Sequence, residues 1–245
     1  CATRPSFPLN DAARSGKHLG EIDLASGSCA DGRRVLGSHI PLMLMRHLAN
    51  LCLPVAGGVL ALGWATSRLV GFPAWPYAPL WFAGALLVYT ANRLHPDPAD
   101  RINCPARLDS EPRLRRGRIA ILIASGCAVV VWPIGIGDGV LLAGALGAAA
   151  VGLAYVMRLP GLCRLKDLPV AKTFLPAIVV SAVILCPAVG RGSGPRDIGV
   201  GTAWLLCLTL FSASLCDHLD RAGDVATGVR TIPVQIGRAS CRERV

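Results

Sequence analysis

From about residue 38 onward the chain alternates long apolar runs with short polar segments. Six runs, at roughly 40–66, 74–91, 118–136, 139–157, 169–189 and 198–216, are each long enough to cross a ~30 Å hydrocarbon layer as a helix. They carry almost no charge; Arg46, His47 and Lys172 are exceptions, close to the span ends. Gly and Ala recur within them, as in Gly144-Ala145-Leu146-Gly147-Ala148-Ala149-Ala150, and small residues let membrane helices approach closely. The pattern predicts an all-α, multi-pass transmembrane bundle spanning residues 38–235. Residues 1–37 are rich in Ser, Gly, Ala and Arg without sustained periodicity, which predicts a polar, disordered leader. The last ten residues, 236–245, resemble the translation of a sequencing adapter and are expected to be an artificial tail. With Cys1 in first place, the native start is expected to lie upstream.

Composition strengthens the membrane reading. Of 245 residues, 53% are hydrophobic and 16% charged, whereas a soluble domain is about one quarter charged. The mean hydropathy is +0.51. A net charge of +10 would suggest nucleic acid in a soluble protein. Here the basic residues sit in loops beside apolar spans, so topology and anionic lipid headgroups explain them, and no nucleic-acid partner is expected. Ten scattered cysteines form no CxxC pair, and neither a zinc site nor a disulfide framework is indicated.

The loops alternate in character. Those after the even spans carry Arg93, Arg101, Arg107, Arg113, Arg115 and Arg116, then Arg158, Arg164 and Lys166. Those after the odd spans carry only Arg68, Arg191 and Arg196. The positive-inside rule therefore places the even loops in the cytoplasm. Trp64, Trp75, Trp81, Trp132 and Trp204 fall toward the opposite ends of their spans, as one half of an aromatic belt would.

Two aspartate-rich segments emerge on that same predicted face. Asn92-Arg93-Leu94-His95-Pro96-Asp97-Pro98-Ala99-Asp100 follows the second span, and Asp217-His218-Leu219-Asp220-Arg221-Ala222-Gly223-Asp224 follows the sixth. Carboxylates at the ends of membrane helices are costly and usually have a partner. If the last helix continues past Cys216, Asp217, Asp220 and Asp224 share one face at i, i+3 and i+7. Acids at a helix C-terminus also oppose its dipole, so a merely solvated end would favour Lys or Arg instead. The first segment is expected to be a turn, because Pro96 and Pro98 break the helix. Opposed carboxylate clusters suit Mg²⁺, a hard ion that takes oxygen ligands and bridges phosphate oxygens. Such an ion stabilises a departing diphosphate, with Arg93 and Lys166 available for its remaining oxygens.

In these features the chain resembles the UbiA superfamily of intramembrane prenyltransferases. That family carries NxxxDxxxD after its second helix and DxxxD after its sixth. Asp220-x3-Asp224, followed by Gly228-Val229-Arg230-Thr231-Ile232-Pro233, is similar to the second motif. Arg164-Leu165-Lys166-Asp167-Leu168-Pro169-Val170-Ala171-Lys172 resembles the family's basic loop after the fourth helix, and Arg46 and Asn50 resemble polar positions of its first helix, one residue out of register. The first motif departs: counting from Asn92, the family's middle Asp falls on Pro96, and Asp97 lies one residue late.

The resemblance covers roughly 40–235 and implies a UbiA-like bundle with about six of nine helices present, so this stretch alone is expected to be inactive. It implies Mg²⁺-dependent transfer of a prenyl group from an isoprenoid diphosphate to an acceptor that the sequence does not identify, within membrane lipid. Asn92, Asp97, Asp100, Asp217, Asp220 and Asp224 would hold metal, Asp100, Asp220 and Asp224 being catalytic. Arg93 and Lys166 would bind diphosphate, with Arg46 and Asn50 as further substrate contacts. Two other classes stay open: a transporter-like or catalytically silent bundle whose Asp clusters bind no metal, and a CDP-alcohol phosphotransferase, whose compact signature is absent here.

Overall fold

The computed structural model describes residues 48, 51–95, 98–103, 111–157, 164–168, 171–228, 231 and 234. The leader and the tail lie outside these residues. The described elements are helical: α1 Leu53–Val70, α2 Ala78–Leu94, α3 Pro98–Asn103, α4 Glu111–Ile136, α5 Gly139–Val156, a 3₁₀ turn at Leu165–Asp167, α6 Ala171–Gly190, α7 Pro195–Leu219 and α8 Arg221–Thr227. Five of them, α1, α4, α5, α6 and α7, contain stretches long and apolar enough to cross a membrane. At 17 residues α2 reaches about 26 Å, slightly short of a ~30 Å hydrocarbon layer.

The six long helices close a ring in which α1 packs on α2, α2 on α4, α4 on α5, α5 on α6, α6 on α7, and α7 back on α1. Contacts of α2 with α5 and of α1 with α6 fill the middle, so the centre is packed. Trp81 of α2 anchors it, 1% exposed, with Phe72 and Tyr77 against its ring. Gly63 of α1 makes that packing possible, since a Cβ there would lie 2.3 Å from the Trp81 ring. Outward-facing side chains remain apolar and open, including Phe211 at 72% and Val131 at 64% exposure. Exposure on that scale suits hydrocarbon rather than water. Gly63→Val should force the α1–α2 pair apart and cost about 1–3 kcal/mol, as overpacking does. Thermal melting in detergent would show it, and an unchanged midpoint would count against this packing.

The apolar pattern placed three boundaries differently. The first helix runs to Val70 rather than ending near 66. Its polar residues there do not break it, because Thr66 Oγ1 donates to Leu62 O at 2.8 Å and Ser67 Oγ to Trp64 O at 2.7 Å within the same helix. The fourth helix begins at Glu111, so Arg115 and Arg116 lie on it and not in a loop. The segment after the second span is not simply a turn: α2 ends at Leu94, and Pro98 opens the short helix α3 with Asp100 in its first turn. Proline's fixed φ and missing N–H suit a first helical position, which explains why Pro98 starts a helix as readily as it stops one.

Candidate functional site

The last long helix reaches Leu219, pauses at Asp220 (φ −82°, ψ 0°) and resumes as α8. The interruption leaves Asp217, Asp220 and Asp224 on one side. All three face a single cation, Lys172 in the first turn of α6. Its Nζ lies 2.9 and 2.8 Å from the two Asp224 oxygens, 3.5 Å from Asp217 and 3.7 Å from Asp220. Asp217 and Asp224 are buried, at 3% and 2% exposure. Thr173 Oγ1 donates to the second Asp217 oxygen, and Tyr155 OH donates to the Lys172 carbonyl at 3.1 Å. The N-terminal turn of α6 adds its own partial positive charge beside the acids, offsetting the unfavourable place of Asp217 at the end of α7, while Asp224 lies in the first turn of α8, where an acid is favoured.

Three carboxylates facing one ammonium leave a formal excess of two negative charges. Burial pushes the Asp224 carboxyl above its ordinary range; the Lys172 hydrogen bond and charge pull it down, and Asp220 and Asp217 push it up again. A folded value above the unfolded one means protonation favours the folded state. That contribution is complete below the ordinary carboxylate range and is lost as pH rises through the raised value. Asp224→Asn should therefore flatten the acid side of the stability profile. Melting across the mildly acidic range would check this, and a profile identical to wild type would refute it.

The first acidic segment meets the second through Asn103. Asn103 Nδ2 donates to the Asp220 carbonyl at 3.1 Å and to its carboxylate at 3.4 Å, while Asn103 Oδ1 accepts the Gly223 N–H at 2.8 Å. Asp100 stands one helical turn before Asn103, on the same side of α3. The basic turn joins at the same end of the bundle: Lys166 Nζ donates to Asn92 Oδ1 at 3.3 Å. Beside it Arg164, 5% exposed, forms a two-pronged pair with Asp167 at 2.9 and 3.1 Å. Arg93 occupies the last turn of α2, where its carbonyl accepts from the buried Arg118 at 3.5 Å. Segments following the second, fourth and sixth spans thus converge. Asp97, Arg46 and Asn50 lie outside the described residues.

Hard oxygen donors of this kind fit Mg²⁺ chemically. Among the described residues, however, no three Asp, Glu, His or Cys side chains surround a point suited to a metal ion. The point where the second-segment carboxylates converge carries the Lys172 ammonium. A divalent ion held by Asp217, Asp220 and Asp224 requires Lys172 to withdraw along its flexible stem.

Sequence reasoning passed over Thr173, Tyr155, Asn103 and Arg118, and read Lys172 only as a charge near a span end that closes the basic stretch, without a role. A signal existed for Lys172, since a cation inside an apolar span needs a partner. Comparison of the chain with protein-family models, curated proteins and solved structures finds no match.

Proposed function

We propose that this chain belongs to an intramembrane enzyme that transfers a prenyl group from an isoprenoid diphosphate to an acceptor with the help of Mg²⁺. The observation that carries the reading is the convergence of the two acidic segments and the Lys166 turn at one end of an apolar bundle. The resemblance of Asp220-x3-Asp224 and its flank to the UbiA second motif supports it.

In this reading Asp217, Asp220 and Asp224 would hold metal together with Asn92, Asp97 and Asp100. Mg²⁺ bound there would supply positive charge to neutralise what develops on a departing diphosphate. Lys166 and Arg93 contact the diphosphate oxygens, Lys as a point charge and Arg by its fork. The apolar helices shelter the prenyl chain and keep water from the electron-poor carbon it exposes. The motif-bearing end faces the cytoplasm, following the basic bias of the even loops.

A second reading is favoured by the place of Lys172: a non-catalytic bundle in which that lysine is the permanent counter-ion of the acids. Melting of the full-length protein with prenyl diphosphates of several chain lengths separates the two, because a ligand that binds only the folded state raises its stability. The expected result is stabilisation when Mg²⁺ and prenyl diphosphate are both present. Equal stabilisation in EDTA, or none with any chain length, would favour the silent bundle.

A further inference from the structure

The two acidic segments are joined by hydrogen bonds from the side chain of Asn103 to residues 117 and 120 positions along the chain. Asn103 uses both ends of its amide: the nitrogen donates to Asp220 and the oxygen accepts from Gly223. Asp220 is where α7 stops and Gly223 lies in the first turn of α8, so this side chain bridges the break between the two helices. The approach is close enough to exclude any side chain at position 223. A Cβ there would sit 2.6 Å from Asn103 Nδ2 and 2.7 Å from both Asn103 Oδ1 and the Ala99 carbonyl.

We infer that Asn103 and Gly223 form a lock that fixes the separation of the two acidic segments, with Asn103 as a positioning residue for the site proposed above. Three features converge on this role. The amide satisfies the Gly223 N–H, one of the first-turn donors of α8 that lack a partner within the helix, and adds a second donor to the Asp220 carbonyl, which also accepts from the Asp224 N–H at 3.1 Å. Its contact with the Asp220 carboxylate orients a candidate ligand from outside, as residues behind metal ligands do. Finally, α3 carries Asp100 one turn from Asn103, so holding Asn103 holds that acid toward α8. Asn103→Asp keeps the shape but loses the donor and sets a negative charge against Asp220; Gly223→Ala keeps every polar group but forces the backbones apart.

The inference rests on the metal-binding reading, and two measurements on the full-length protein keep the two separable. Spin labels at Ile102→Cys on α3 and Val225→Cys on α8, both exposed positions, report the separation directly in a background with the native cysteines replaced. A single narrow distance is expected, broadened in Asn103→Asp and Gly223→Ala; an unchanged distribution in both overturns the lock. Mn²⁺ binding, followed by the loss of its free-ion electron paramagnetic resonance signal, reports the positioning role. Weakening on the order of tenfold is expected for each variant, the scale on which residues behind metal ligands act. Wild-type Mn²⁺ affinity in folded variants with lowered melting temperatures would reduce the lock to a structural contact and overturn the positioning role. Absence of Mn²⁺ binding in the wild type would refute the metal reading, while the distances still decide the lock.

Discussion

Lys172→Met should destabilise the bundle more than any other single change at the acidic cluster. The substitution keeps most of the side-chain volume and removes the charge that Asp217, Asp220 and Asp224 share. Removing one partner of a buried ion pair costs about 3–5 kcal/mol, and Lys172, with 21% side-chain exposure, belongs at the lower end of that range. The carboxylates left behind would be two buried acids and one half-buried acid without their cation. Added Mg²⁺ is therefore expected to restore more of the lost stability in Lys172→Met than it adds to the wild type. Melting temperatures with and without Mg²⁺ would be compared. Wild-type stability in the variant would mean that the ion pair contributes nothing; destabilisation that Mg²⁺ does not relieve would mean that the acids serve Lys172 alone.

That lysine also shows how far the sequence could be read. Apolar length and small-residue content predicted six helical spans. Among the described residues a long helix overlaps each of those regions, five of them being long and apolar enough to cross a membrane, and the first running Leu53–Val70. Boundaries were less legible, because they depend on local hydrogen bonds that hydropathy does not record. Thr66 and Ser67 look like a helix end but return their hydroxyls to the helix backbone. Pro98 reads as a breaker yet serves as a helix start. The common end of the acidic segments and the Lys166 turn followed from counting spans, since each crossing reverses direction. The content of the site was harder to foresee. In the sequence Lys172 reads as a charge near a span end, the last residue of the basic stretch, whereas its half-buried place among three acids makes it their centre. Asn103 carried no signal at all: an asparagine in a polar segment is ordinary, and its partners are 117 and 120 residues away.

A second large effect is expected from the double substitution Asp220→Asn/Asp224→Asn. Amides preserve shape and keep an acceptor oxygen, but lose the negative charge that a divalent ion requires. Losing one preorganised electrostatic group costs on the order of 10²–10³ in rate, so the pair should lower the proposed prenyl transfer by the full-length protein by at least that much. The fold should survive better than in Lys172→Met, because Asp217 still faces the lysine at 3.5 Å and keeps its bond from Thr173. Turnover and melting must be read together: a folded variant at full activity would remove these two residues from the reaction.

Diphosphate release from prenyl diphosphates by the full-length protein, measured with Mg²⁺ and again with EDTA, tests the proposed activity most directly. A panel of chain lengths and aromatic or lipid acceptors avoids dependence on one guessed substrate. The expected result is release that requires Mg²⁺ and falls away in Asp220→Asn/Asp224→Asn. Release that continues undiminished in EDTA, or no release from any member of the panel by the folded wild-type protein, would contradict it.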